Sequence, residues 1–225
     1  MRHIRVLATA AVLAAVMSQP SAAQSGRQFK DAWFWGVRGG LLGYSSSSND
    51  AAIAPMLGLA WLITRSRGGL YVGVDQAFLT TDALFTSPGA SGFADPRVTI
   101  SNQRRVIIAG MVFPMQTPAL HPYFGLGMSI NKIGGSNYPA TTTFTSASQF
   151  GLAEDSVQAR RAAIAPVIIL GAQRRLIGFS VFGQMTATFL SSGYFLRADD
   201  AARPFGYSFE GGLRYNVGSS IDQVR

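Results

Sequence analysis

The chain has 225 residues, with 19 Lys or Arg against 11 Asp or Glu, a formal charge of +8, and no cysteine. That length fits a leader plus one domain, and the missing cysteines exclude both a disulfide-stapled fold and a lipid-anchored lipoprotein. The arginines are scattered without a helical basic patch, so the charge excludes a nucleic-acid surface of the usual kind.

Met1 to Ala23 reads as a cleaved signal peptide. Arg2 and Arg5 supply the positive start, Val6 to Met17 the short apolar core, and Ser21-Ala22-Ala23 the small residues before cleavage at Gln24. The apolar run is short of the roughly 20 residues that a helix needs to cross a bilayer. Residues 24–225 are then expected to form one domain.

Strands are expected near 32–44, 53–65, 69–80, 100–113, 122–133, 159–173, 176–189 and 204–217, an even set of eight. Trp33, Trp35, Val37 and Leu41 share one parity of the first strand; Leu57, Leu59, Trp61 and Ile63 share one of the second. Leu70, Val72, Val74 and Phe78 follow on the third, and Phe124, Leu126, Met128 and Ile130 on the fifth. Phe179, Val181, Met185 and Phe189 share a face of the seventh. The fourth and sixth carry Val106-Ile107-Ile108 and Val167-Ile168-Ile169, apolar on both faces, so parity does not orient them. Pro166 lacks a ladder donor, and a bulge is expected there.

The eighth strand decides between two barrels. From Tyr207 to Val217 the odd positions are Tyr, Phe, Gly, Leu, Tyr and Val, while the even ones include Glu210, Arg214 and Asn216. A period of two separates an apolar face from a charged one. A soluble barrel would turn the apolar face inward. The leader and the lack of cysteine favour the inverse, apolar out and polar in. Connection lengths agree. Short ones fall at Ser66-Arg67-Gly68, Pro114 to Pro122 and Gln173-Arg174-Arg175; long ones at Ser45–Ala52, Thr81–Thr99, Gly134–Gln158 and Leu190–Arg203. The expected fold is all-β: an eight-stranded antiparallel transmembrane β-barrel with short periplasmic turns and long extracellular loops. Trp33, Trp61 and Tyr215 then lie near the periplasmic interface.

The closing Glu210-Gly211-Gly212-Leu213-Arg214-Tyr215-Asn216-Val217 segment, with the leader and strand pattern, resembles the small outer-membrane β-barrel proteins. These are typified by the transmembrane domain of outer-membrane protein A, by OmpX and by OmpW. The likeness covers residues 24 to 218. It implies that Glu210, Gly212, Tyr215 and Val217 form the signal that a barrel assembly machinery reads, although this chain runs on to Arg225. It also implies an internal ion-pair plug.

Parity puts Arg38, Tyr71, Asp75, Arg105, Gln184, Glu210 and Arg214 inside. Unpaired charge in a low-dielectric lumen is costly, so Asp75 and Glu210 should pair with Arg38, Arg105 or Arg214. Some small barrels act on lipids and need an imidazole base. Here His3 lies in the leader and His121 in an expected turn, with Ser129 and Ser180 as ordinary strand residues and no triad in view. No metal-ligand spacing and no cofactor motif occurs; Gly39-Gly40 and Gly211-Gly212 lie within strands, where close backbone approach explains them.

Arg104, Arg160, Arg161, Arg197 and Arg203 fall near the external ends, where guanidinium groups could hold lipopolysaccharide phosphates. Outer-membrane lipids, including lipopolysaccharide, are the expected partners. The expected role is a non-enzymatic structural or surface-interaction protein. The alternatives are a narrow conduit for small or apolar solutes, and a soluble periplasmic barrel with an apolar ligand.

Overall fold

Alternation builds the wall. In the third strand Tyr71, Gly73, Asp75 and Ala77 are buried, whereas Leu70, Val74 and Phe78 are exposed. The computed structural model describes residues 31–46, 49–86, 93, 95–115, 120–140, 142–176, 179–191, 193–196 and 206–219. The strands are β1 (Ala32–Ser46), β2 (Asn49–Arg65), β3 (Gly68–Leu84), β4 (Arg97–Val112), β5 (Leu120–Asn137), β6 (Ala162–Arg175), β7 (Phe179–Thr188) and β8 (Gly206–Ser219). Each is antiparallel to the next, and β8 returns to β1 through Leu41↔Phe209 and Trp35↔Tyr215. The result is a closed eight-stranded antiparallel barrel with no free sheet edge.

The apolar parity faces outward on every strand. Val37, Leu57, Leu126, Phe209, Leu213 and Tyr215 are exposed, while Glu210 is 5% and Arg214 0% exposed. Strands β4 and β6 are oriented by their neighbours: Ile107 and Ile169 turn inward, Ile108 and Ile168 outward. Near the short-turn end Trp61 lies 5.6 Å from the Trp33 ring and 5.8 Å from Trp35. Trp61 Nε1 has no protein partner among the described residues.

Several boundaries differ from expectation. β1 and β2 continue to Ser46 and Asn49, so their connection is residues 47–48 rather than Ser45–Ala52. The expected Gly134–Gln158 loop contains a helix, α1 (Ala147–Arg160), and β6 begins at Ala162 rather than 159. Ser146 caps α1 by accepting from Gln149 N at 3.1 Å. Pro166 forms no bulge; it pairs in register with Met128. Its carbonyl accepts from Phe189 N at 3.0 Å, beyond the last β6–β7 pair, Val167↔Thr188. Amide and carbonyl of one strand residue point the same way, so the missing donor faces the end of β7 and removes no ladder bond. Register shifts occur instead between Tyr44 and Ser46, between Trp33 and Phe34, and between Ala77 and Thr80, where Asn102 opposite has φ 54°.

Two apolar clusters occupy the lumen. One, toward the short turns, includes Phe34, Leu62, Tyr71, Ile107, Phe113 and Ile169. The other joins Met56, Ile100 and Ile133 to loop residues Phe85, Phe93, Leu190, Phe195 and Leu196. Between them lies a band of charge.

Candidate functional site

Register brings the charges together. Asp75 on β3 sits directly opposite Arg105 on β4, and Arg105 Nε donates to Asp75 Oδ2 at 2.9 Å. Arg38 on β1 is separated from Asp75 by β2, where its partner in register is Gly58. With no side chain at that inward position, Arg38 Nη2 reaches Asp75 Oδ2 at 2.8 Å. Gly73 makes the room: a Cβ there would lie 2.4 Å from Arg38 Nη2. Glu210 on β8 closes the ring, accepting from Arg38 Nη1 and from Arg105 Nη2, each at 2.7 Å. It also accepts from Ser208 at 2.6 Å, Gln184 at 2.8 Å and Thr186 at 3.3 Å. Arg38 donates further to the Tyr71 hydroxyl. All four charged side chains are at most 4% exposed, so each charge depends on these partners rather than on water.

Arg214 stands outside the ring. Its Nη1 donates to Gln173 Oε1 at 2.6 Å and its Nη2 to Gln184 Oε1 at 3.2 Å. The guanidinium lies 3.8 Å from the Phe182 ring centroid, with Tyr123 at 5.4 Å and Tyr71 at 5.7 Å. Neutral amides and aromatic faces therefore hold this cation, and no carboxylate touches it among the described residues. Gln184 links the two groups, since its Nε2 donates to Glu210 while its Oε1 accepts from Arg214.

His121 and Ser129 are not brought together. His121 is buried where β5 begins, and Ser129 lies farther along the same strand, donating to Ala165 O at 3.3 Å. Eight residues of strand separate them by about 27 Å. Among the described residues no group of His, Asp or Glu could hold a metal.

The arginines expected near the external ends divide. Arg104 is exposed on the outer face of β4, with Nε 3.4 Å from Gln76 Oε1. Arg161 Nη2 donates to Gly134 O at 3.3 Å. Arg160 turns instead to the buried Phe195 ring, 5.4 Å from its centroid. Arg197 and Arg203 lie outside the described residues, as do residues 1–23, expected to be a leader. Beside these, Tyr138, Phe144 and Phe150 form an edge-on aromatic group with Phe85 and Phe93 over the barrel mouth. Burial, aided by the Glu154 carboxylate, pushes the Tyr138 phenol above its ordinary range. Sequence reasoning missed Lys132, exposed on β5 directly opposite Arg104. Its parity with Ile130 and Met128 was the available signal.

Neisserial surface protein A superposes with a TM-score of 0.52 at 9% identity, covering 81% of this chain and 96% of that one. The two share the eight-stranded barrel fold. Ail, the attachment invasion locus protein of Yersinia pestis, gives 0.48 at 10% identity, over 84% and 99% of the chains. A major outer membrane protein of Thermus thermophilus gives 0.42 at 15% identity, over 82% and 99%. No protein-family model matches the chain, and no curated protein matches it. At such identities the likeness concerns the fold, so function has to be argued from the wall and the lumen.

Proposed function

We propose that the chain is a non-enzymatic outer-membrane barrel that anchors surface-exposed loops and seals its own lumen. The observation that carries the reading is the inversion: Leu57, Leu126, Phe209 and Leu213 face outward while Arg38, Asp75, Arg105, Glu210 and Arg214 are enclosed. A water-soluble barrel would expose the charges and bury the oil. The tryptophans at the short-turn end support a membrane boundary there, where indole N–H groups find headgroups or water. The apolar clusters on either side of the ionic ring support a sealed lumen, as does the small bore of eight strands. In this reading residues 1–23 export the chain and are removed, the segment from Glu210 to Val217 serves assembly, and the long loops face outside.

Migration on a detergent gel tests the barrel. An unboiled sample should run apart from a boiled one, and salt or carbonate should leave the protein in the membrane. Identical migration, or release without detergent, would overturn insertion. Planar-bilayer recording tests the seal, because steady unitary openings of the native protein would convert the reading to a conduit.

A further inference from the structure

We propose that Arg104 and Lys132 clamp the phosphorylated headgroup of a membrane lipid against the outer wall, with its acyl chains running along the apolar strip between β4 and β5. This rests on the membrane-spanning reading above and adds a lipid class and a position.

The two cations face each other directly in the β4–β5 ladder, and both are exposed. Like charges directly opposite across strands repel, and here no carboxylate relieves them among the described residues. Among the described residues Arg104 has only a long contact to Gln76 Oε1, at 3.4 Å. The arrangement is favourable once an external anion lies between the side chains.

What lies beneath selects the anion. On the same outward face the successive pairs are Val106↔Ile130, Ile108↔Met128, Gly110↔Leu126 and Val112↔Phe124, all apolar. From Phe124 to Lys132 the strand runs about 27 Å. At a tilt near 40° that is roughly 20 Å of height, which puts the cations where hydrocarbon gives way to headgroups. The next outward position on β5 is Gly134, whose carbonyl holds Arg161 Nη2 at 3.3 Å. A second guanidinium, the third cation, is thus brought beside the pair. Guanidinium and ammonium groups donate to phosphate oxygens, and an acyl chain has apolar wall to follow only if the phosphate belongs to a lipid. A free phosphate would use the cations and ignore the strip.

Native mass spectrometry of the full-length barrel, released from micelles containing lipid A, reads the retained lipid directly. Lipid A should be retained, and its dephosphorylated form should not. Arg104→Gln combined with Lys132→Gln should weaken retention roughly tenfold or more, while Arg65→Gln at the opposite end leaves it unchanged. If the double variant fails to fold, Lys132→Gln alone should still weaken retention about fivefold. Equal retention by folded variants would overturn the clamp. Displacement of lipid A by millimolar inorganic phosphate would overturn the lipid assignment in favour of a simple anion site. The heat-dependent gel shift, run on every variant, separates this failure from failure of the barrel reading. Variants that shift normally yet retain lipid equally reject the clamp alone, and absence of any shift in the native protein rejects both.

Discussion

Glu210 concentrates the luminal chemistry, because Arg38, Arg105, Ser208, Gln184 and Thr186 all donate to it. Removing its carboxylate leaves two buried guanidinium groups sharing Asp75. Breaking one partner out of a buried ion network costs about 3–5 kcal/mol. Glu210→Ala should therefore lower the temperature at which the folded gel band converts to the unfolded one; an unchanged temperature would make the ring energetically irrelevant. Arg214 predicts a contrast. Neutral Gln173 and Gln184 lose hydrogen bonds when it goes, about 1–3 kcal/mol, and a buried cation without a carboxylate goes with it. Arg214→Met fills much of the same volume, so its conversion temperature should fall less than that of Glu210→Ala. A larger fall would mean that the aromatic faces stabilise the cation more than the ring stabilises Glu210. Parity in the sequence reaches the inward placement of Arg38, Asp75, Glu210 and Arg214, whereas Arg105 lies on a strand that its neighbours orient. The division into a four-residue ring and a separate arginine depends on Gly58 and Gly73, whose missing side chains let Arg38 cross β2. Nothing in a single strand announces that.

At the scale of elements, strands with one apolar face were legible because a period of two is unambiguous once one face is charged. β4 and β6 were not, since Ile107 and Ile108 are chemically equivalent; pairing with oriented neighbours on β3, β5 and β7 settles them. Helix α1 escaped for a different reason. It buries only Ala153 and Val157, so its apolar stripe, with Phe150 one turn before, is short and built partly of a small residue. Its signal was the Ser146-Ala-Ser-Gln149 start, a capping sequence in which Ser146 holds Gln149 N and Gln149 Oε1 returns to Thr145 N at 2.6 Å. Losing an N-cap costs a helix about 1 kcal/mol. Because α1 joins the apolar cluster through Ala153 and Val157, beyond its first turn, Ser146→Ala should accelerate hydrogen exchange in that first turn and leave the heat conversion of the barrel unchanged. A parallel fall in conversion temperature would show that the helix braces the wall.

At the scale of the molecule, the order of layers matters more than any single contact. The ionic ring has strands around it and apolar clusters on either side, and in the proposed sealed reading neither bulk water nor salt has a short route to it. That separates two kinds of barrel with the same strands and the same charges. In a water-filled bore, mobile ions would screen the network: raising salt from about 0.1 M to about 1 M shortens the screening length from about 10 Å to about 3 Å. In a dry bore the pairs interact through protein and the added ions stay outside. Heat conversion of the native barrel should then shift little across that range, while the exposed Arg97–Asp95 pair at the loop end is free to weaken without consequence for the wall. A steep fall with salt, together with a smaller penalty for Glu210→Ala at high salt, would place water among the charges and favour a conduit over a seal.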